Sequence, residues 1–281
     1  MELNILLEVF FILLILIFAI YVVYTKYIKK SSSNNSNFIF TPKNMFNYSP
    51  GLLNLYVNEK SDLNSFKGDK NGFKATFLDL INKNYIIFLN QNISNENKEN
   101  HHHSGPFVKI NKKKSVTKLK PYELDVINFL KRYNKKGVIS LYFIENDLKN
   151  LKSSKKFESR YNSWETHLKN EYLNNKFFKG DSTEFMKELG DFKSYVSGGD
   201  ITNTDISPDD INQFLVYGQA VGIEKKTMEN FEKYLDENSL KNSEIYQIIK
   251  VNGLSFVEPG FKGLYLVKPG QHDPNTDVYG Y

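Results

Sequence analysis

Few residues in this chain have the type and spacing to carry chemistry. Three of its five histidines form the run His101-His102-His103 inside a long polar stretch. Such a triple can take up a divalent metal. A resident site, however, needs ligands converging from fixed elements and held by their own hydrogen bonds, so the run reads as a solvent-exposed insertion. His167 falls on a Lys/Glu-rich helix as a surface residue, and His272 stands beside Asp273 near the end of the chain. The absence of cysteine removes disulfides, thiolate nucleophiles and cysteine-based zinc sites together. No glycine-rich loop leads into Lys-Ser/Thr, and neither G-x-S-x-G nor H-E-x-x-H occurs. Lys179-Gly180-Asp181 and Ser197-Gly198-Gly199-Asp200 read as turns. The expectation is a protein without catalytic activity, cofactor or metal.

Three lysine runs, Lys112-Lys113-Lys114, Lys135-Lys136 and Lys155-Lys156, could meet an anionic partner. A formal net charge of +5 is too mild to argue for nucleic acid by itself. A DNA-reading helix should present Arg, Asn and Gln among its lysines. The first candidate, residues 72–82, offers mainly Lys74, Thr76 and Asp79, and the second, residues 155–160, mixes its basic side chains with Glu158. The runs therefore read as solvated charge or as attraction to an anionic membrane leaflet, with DNA binding as the alternative.

The residues that could do chemistry hang on a chain with a marked beginning. From Leu3 to Thr25 the only charged residue is Glu8. At about 1.5 Å per residue this stretch reaches roughly 34 Å as a helix, enough for a hydrocarbon core of about 30 Å. Tyr21, Tyr24 and Tyr27 gather at its far edge, followed by Lys26, Lys29 and Lys30. The positive-inside rule then predicts a single-pass anchor in the cell membrane, with the amino terminus outside and the remainder cytoplasmic. A cleaved signal peptide fits poorly, because the start is acidic, the apolar core is long and lysine replaces a small-residue cleavage site.

The expected fold is α+β and mainly helical, in which the anchor (residues 1–30) leads through a polar linker (31–48) to tandem winged-helix-like modules. In the first, residues 49–116, Ser49-Pro50 opens a helix carrying Leu52, Leu53, Leu55 and Tyr56. Phe73, Phe77, Leu80 and Ile81 mark a second helix. Tyr85–Leu89 and Phe107–Ile110 then read as strands around a long polar wing. The second module, residues 117–180, starts at Pro121 and has a stripe of Ile144, Leu148 and Leu151. Its long helix, from about Lys155 to Asn174, leads to Phe177-Phe178, echoing the exit of the first module. A helical region follows at 181–251, in which Ser207-Pro208-Asp209-Asp210 combines a cap, a first-position proline and acids in the first turn. Residues 252–281 lack periodicity and read as a Gly/Pro-containing tail, either docked or disordered.

Two segments of this chain resemble a known family. Asn71-Gly72-Phe73-Lys74-Ala75-Thr76-Phe77-Leu78-Asp79-Leu80-Ile81-Asn82-Lys83-Asn84-Tyr85-Ile86 is similar to a signature of the YciQ-like predicted membrane proteins, and Phe73, Ala75, Leu78, Asp79, Leu80 and Tyr85 carry it. Phe214-Leu215-Val216-Tyr217-Gly218-Gln219-Ala220-Val221-Gly222-Ile223-Glu224-Lys225-Lys226 is similar to a later helix of the same family, through Tyr217, Gly218, Ala220 and Gly222. The resemblance implies location and architecture: an extracellular β-rich domain, a transmembrane helix and a cytoplasmic region of unestablished function. Here the extracellular domain is expected to be missing, so that a separately encoded β-rich subunit becomes a candidate partner. The resulting expectation is a membrane protein whose cytoplasmic domain binds other proteins.

Overall fold

A computed structural model describes residues 45–61, 69–89, 105–174, 183–198 and 206–266. The expected anchor at 1–30, with Lys26, Lys29 and Lys30, lies outside the described residues, as do nearly all of the linker, the histidine run, Phe177-Phe178 and the end of the tail. Among the described residues, no helix is long and apolar enough to cross a membrane.

The described part is mainly helical with one small sheet. After a short turn at Met45–Asn47 come α1 (Pro50–Ser61), α2 (Lys70–Asn82), β1 (Ile86–Leu89) and β2 (Phe107–Ile110). Then follow α3 (Pro121–Lys131), β3 (Ile139–Ser140), α4 (Leu141–Leu148) and α5 (Leu151–Asn174). The last part holds α6 (Thr183–Gly198), α7 (Pro208–Ala220), α8 (Glu224–Tyr234), α9 (Glu237–Lys241), α10 (Glu244–Lys250) and α11 (Glu258–Leu266). The sheet is antiparallel in the order β1-β2-β3, with Phe88 opposite Val108 and Val108 opposite Ile139. The strand from the 117–180 segment thus completes the sheet begun in the 49–116 segment, and one hydrophobic core runs through both.

Helix α2 is the centre of that core. Asp69 caps it, its carboxylate accepting from the amides of Asn71 at 2.8 Å and Gly72 at 3.1 Å. The sequence spacing predicts one apolar stripe, yet every residue from Gly72 to Ile81 is buried, including Lys74, Thr76 and Asp79. The reason is tertiary: α1, α3, α7 and α10 all pack against it. At its end Asn84 adopts a left-handed φ of 60°. The Tyr85 amide donates to the Leu80 carbonyl at 2.8 Å and that of Asn84 to Ile81 at 2.7 Å. This is a Schellman closure, and it makes Tyr85 the end of the helix rather than the first residue of the strand.

Aromatic rings fill the space between α2 and α5. Around Phe73 stand Trp164 at 5.4 Å, Phe157 at 5.8 Å, and Phe129 and Phe261 each at 6.1 Å between ring centroids, all edge-on. Such pairs add about 0.5–1.5 kcal/mol beyond the area they bury. The stripe Phe157, Tyr161, Trp164, Leu168 and Tyr172 lies inward as the spacing predicts.

Two expectations need correction. Ile144 and Leu148 are buried in α4, but Leu151 is 58% exposed and opens α5. Asn150 interrupts the stripe, because its side chain takes the Lys152 amide at 2.9 Å and starts a new helix. The other concerns residues 252–281, expected as an aperiodic tail, either docked or disordered: the described part docks, but as regular structure. Gly253–Val257 forms a 3-10 turn that leads into α11, and Leu254, Phe256, Val257 and Phe261 are buried in the core. Contacts with α4 and α5 create this order, and they come from residues about a hundred positions earlier.

Candidate functional site

The two motif segments meet in space. Helices α2 and α7 lie side by side, and the Gln219 amide donates to Asn71 Oδ1 at 3.0 Å. Asn54 on α1 ties both, giving one hydrogen to the Asp69 cap at 2.9 Å and the other to the Ala220 carbonyl at 2.8 Å. Ala220, itself buried, therefore supplies a backbone acceptor at the junction. Gly222 closes α7 as Asn84 closes α2: it sits at φ 76°, and the Ile223 amide returns to the Gly218 carbonyl at 2.9 Å. Gly218 faces Thr227 on α8, and a Cβ there would stand 3.0 Å from the threonine hydroxyl. The Tyr217 hydroxyl donates to the carbonyls of Phe46, at 3.2 Å, and Tyr48, pinning the segment that leads into α1. Of the remaining motif positions, Phe73, Ala75, Leu78 and Leu80 are core. Tyr85 lies under the Lys114 ammonium at 4.7 Å.

Asp79 belongs to an ionic group with two buried carboxylates and a partly exposed ammonium. Lys83 reaches Asp79 at 2.6 Å and Glu123 at 2.8 Å, so one ammonium serves two carboxylates. Glu123 also caps α3, accepting from the Lys120 amide at 2.8 Å. Burial pushes the Asp79 carboxyl up to about 6, against the pull of Lys83 and with help from Glu123. Lys83 is held above its usual range, because the two carboxylates outweigh its own burial.

Where α2, α7, α8, α10 and α11 converge there is a cavity of about 240 Å³. Both motifs contribute to it, the first through Lys74 and the second through Gln219 and Glu224. Its opposite wall comes from Asn252, Ser255 and Glu258. Lys74, nearly buried, pairs with Glu258, and Lys70 approaches the same carboxylate at 3.7 Å. Burial raises the Glu258 carboxyl, but Lys74, Lys70 and Lys262 outweigh it and hold the group below the usual range. Ser255 is turned away, donating to Glu145 at 2.7 Å. Glu224 differs from the rest. It makes no hydrogen bond or ion pair with another described residue, and burial raises its carboxyl against the more distant pull of Lys74.

In the sequence Lys74, Gln219 and Glu224 stand out only as neighbours of motif positions, and Asn252, Ser255 and Glu258 do not stand out at all. The available signal was Glu258-Pro259, an acid and a proline at a helix start with Phe261 close behind. His167 is apart from this site, its Nδ1 2.7 Å from Asp125. No group of His, Asp and Glu among the described residues is arranged to hold a metal.

Residues 46–190 match the family model described as "Predicted membrane protein (DUF2207) C-terminal domain". A helical body with a small sheet, carrying its motif residues at one helix junction, is thus a domain of a membrane protein. This chain belongs to that family, and membrane localisation follows from the membership. The match contains the first motif and ends before the second, which joins the site through the packing of α7 on α2. No curated protein and no solved structure matches the chain.

Proposed function

We propose that this is the cytoplasmic domain of a single-pass, YciQ-like membrane protein, and that it binds a protein partner instead of catalysing a reaction. In this reading Lys26, Lys29 and Lys30 orient the anchor, and a separately encoded extracellular β-rich subunit is a candidate companion across the bilayer. The observation that supports it is Glu224, a half-buried carboxylate that is unpaired among the described residues, on the wall of a cavity built by both motifs. The cavity is smaller than the roughly 300–1,000 Å³ typical of small-molecule sites. Its lining carries one ammonium and two carboxylates, which suits a single basic side chain from a partner.

The test is binding of short peptides with a central lysine or arginine to the full chain in detergent, followed by fluorescence anisotropy. A charge-assisted hydrogen bond contributes about 1.5–3 kcal/mol, so Glu224→Gln should weaken basic peptides by roughly 10- to 100-fold. It should leave peptides with norleucine at the centre unchanged. Equal binding of basic and norleucine peptides, or an unaffected Glu224→Gln, refutes the reading.

A membrane-anchored winged-helix regulator is the alternative. Its first candidate reader, α2, is buried over Gly72–Ile81, so α5 with Lys155 and Lys156 would have to enter the groove. Retardation of duplex DNA with a steep salt dependence would favour it, and no shift at low salt would remove it.

A further inference from the structure

Between α3 and α4 the chain makes a tight hairpin whose tip is exposed and of mixed character. Lys135 and Val138 exchange both backbone hydrogen bonds, at 3.0 and 3.1 Å, around Lys136-Gly137. Both central residues have positive φ, 54° and 91°, the geometry of a type I′ turn. The Asn134 side chain holds the turn by accepting from the Gly137 amide at 2.9 Å. Lysine at the first central position is uncommon, since Asn, Asp or Gly reach the left-handed region at lower cost. A strained residue at a tip points toward a role for its side chain.

The surface around that tip is apolar. Val138 is 38% exposed, Tyr142 46% and Phe143 39%. The last two lie in the first turn of α4, directly after β3, the edge strand of the sheet. Lys135 lies over the Phe143 ring at 4.2 Å, so its charge and the aromatic face form one surface. Arg132, exposed at the end of α3, adds a further cation. The nearest carboxylates on α4 are engaged elsewhere: Asp147 accepts from Tyr133 at 2.9 Å and from Ser153 at 3.0 Å, and Glu145 from Ser255.

We infer that this hairpin is a membrane-contact element: Val138, Tyr142 and Phe143 enter the interfacial layer of a bilayer while Lys135, Lys136 and Arg132 pair with anionic lipid headgroups. Two features identify the occupant. Aromatic and aliphatic side chains flanked by Lys135, Lys136 and Arg132 are complementary to an anionic interface, where amphipathic side chains place an apolar body in lipid and a charged end in water. The chain also belongs to a family of predicted membrane proteins, so a bilayer is the surface this domain accompanies.

Because the protein has no cysteine, a single introduced thiol can be labelled uniquely. The full chain carrying Val138→Cys, or in a second variant Tyr142→Cys, is labelled with an environment-sensitive nitrobenzoxadiazole dye. It is reconstituted into bilayers of phosphatidylcholine alone, or with roughly one phosphatidylserine in three lipids. Both positions should shift to the blue in the anionic bilayers only. A label at Glu229→Cys on α8, which packs on α6 and α7, should not respond. Each lysine near an anionic surface strengthens association about fivefold, so Lys135→Gln with Lys136→Gln should lower the membrane-associated to free ratio roughly 25-fold. Emission typical of water at both positions in both bilayers overturns the inference. So does a blue shift that is equal in neutral lipid and indifferent to the lysine substitutions, which would mark burial against protein.

Discussion

Asp79 offers a test of its ion pair with Lys83 whose sign runs against first intuition. An aspartate 2.6 Å from a lysine is usually counted as stabilising. Here burial outweighs the lysine, and the carboxyl is raised from an ordinary 3.8 to about 6. For an acid raised in the folded state, the native protein binds more protons than the unfolded one between the two values. Stability is therefore full below about pH 4, falls as pH rises through 4 to 6, and is flat above that window. A shift of about two units corresponds to roughly 3 kcal/mol of destabilisation at neutral pH relative to the protonated side chain. Asp79→Asn mimics that protonated form with little change in volume. At about pH 7.5 it should stabilise the domain by up to roughly 3 kcal/mol, and at about pH 4 it should be near neutral. For a domain of this size that is a rise in melting temperature of about 6–10 °C at the higher pH. Trp164, the single tryptophan and fully buried, reports the transition by fluorescence in the intact chain. The reasoning fails if Asp79→Asn is destabilising at neutral pH, or if its effect is the same at both pH values. The first result would mean that the Lys83 pairing outweighs desolvation, and the second that the two cancel.

Two further substitutions examine the motif junction. Gly222→Ala forces a side chain into φ 76° at the C-terminus of α7 and should cost about 1 kcal/mol or slightly more, read as a lower midpoint in urea. An unchanged midpoint would show that the closure of α7 is not held in this geometry. Tyr217→Phe removes the hydroxyl shared by the Phe46 and Tyr48 carbonyls. A loss of about 1–3 kcal/mol is expected for such partners. Limited proteolysis should find the Met45–Asn47 turn released before the core unfolds, and simultaneous cleavage everywhere would contradict this local role.

Much of the helical framework is legible in the chain because it rests on local chemistry. Ser207-Pro208-Asp209-Asp210 announces α7 by its cap, proline and acids, and the structure adds a reciprocal exchange: the Asp210 amide donates to the Ser207 hydroxyl at 3.2 Å while the Asp210 carboxylate takes the Ser207 amide at 3.3 Å. The strand Phe107–Ile110 and the inward stripe of α5 follow in the same way from alternation and helical spacing. The α11 helix is harder to read, because Gly260 and Gly263 within it lower its intrinsic propensity. Packing overcomes that cost: a Cβ at Gly260 would stand 2.5 Å from Phe157, so the helix lies close on α5 only as glycine.

The candidate site divides along the same line. From sequence alone come the two motif segments, through their resemblance to a family, and the apolar stretch Leu3–Thr25 with its lysines, set by residue type and short-range spacing; the left-handed closure at Gly222 is seen only in the structure. Only the tertiary structure brings Lys74 to Glu258, a partner 184 residues away, and leaves Glu224 without one among the described residues. It also buries α2 on every side and aligns β3 with β2. Those outcomes depend on which helices pack against which, and packing is decided by burial summed over the whole core, a quantity that no local window of the chain contains.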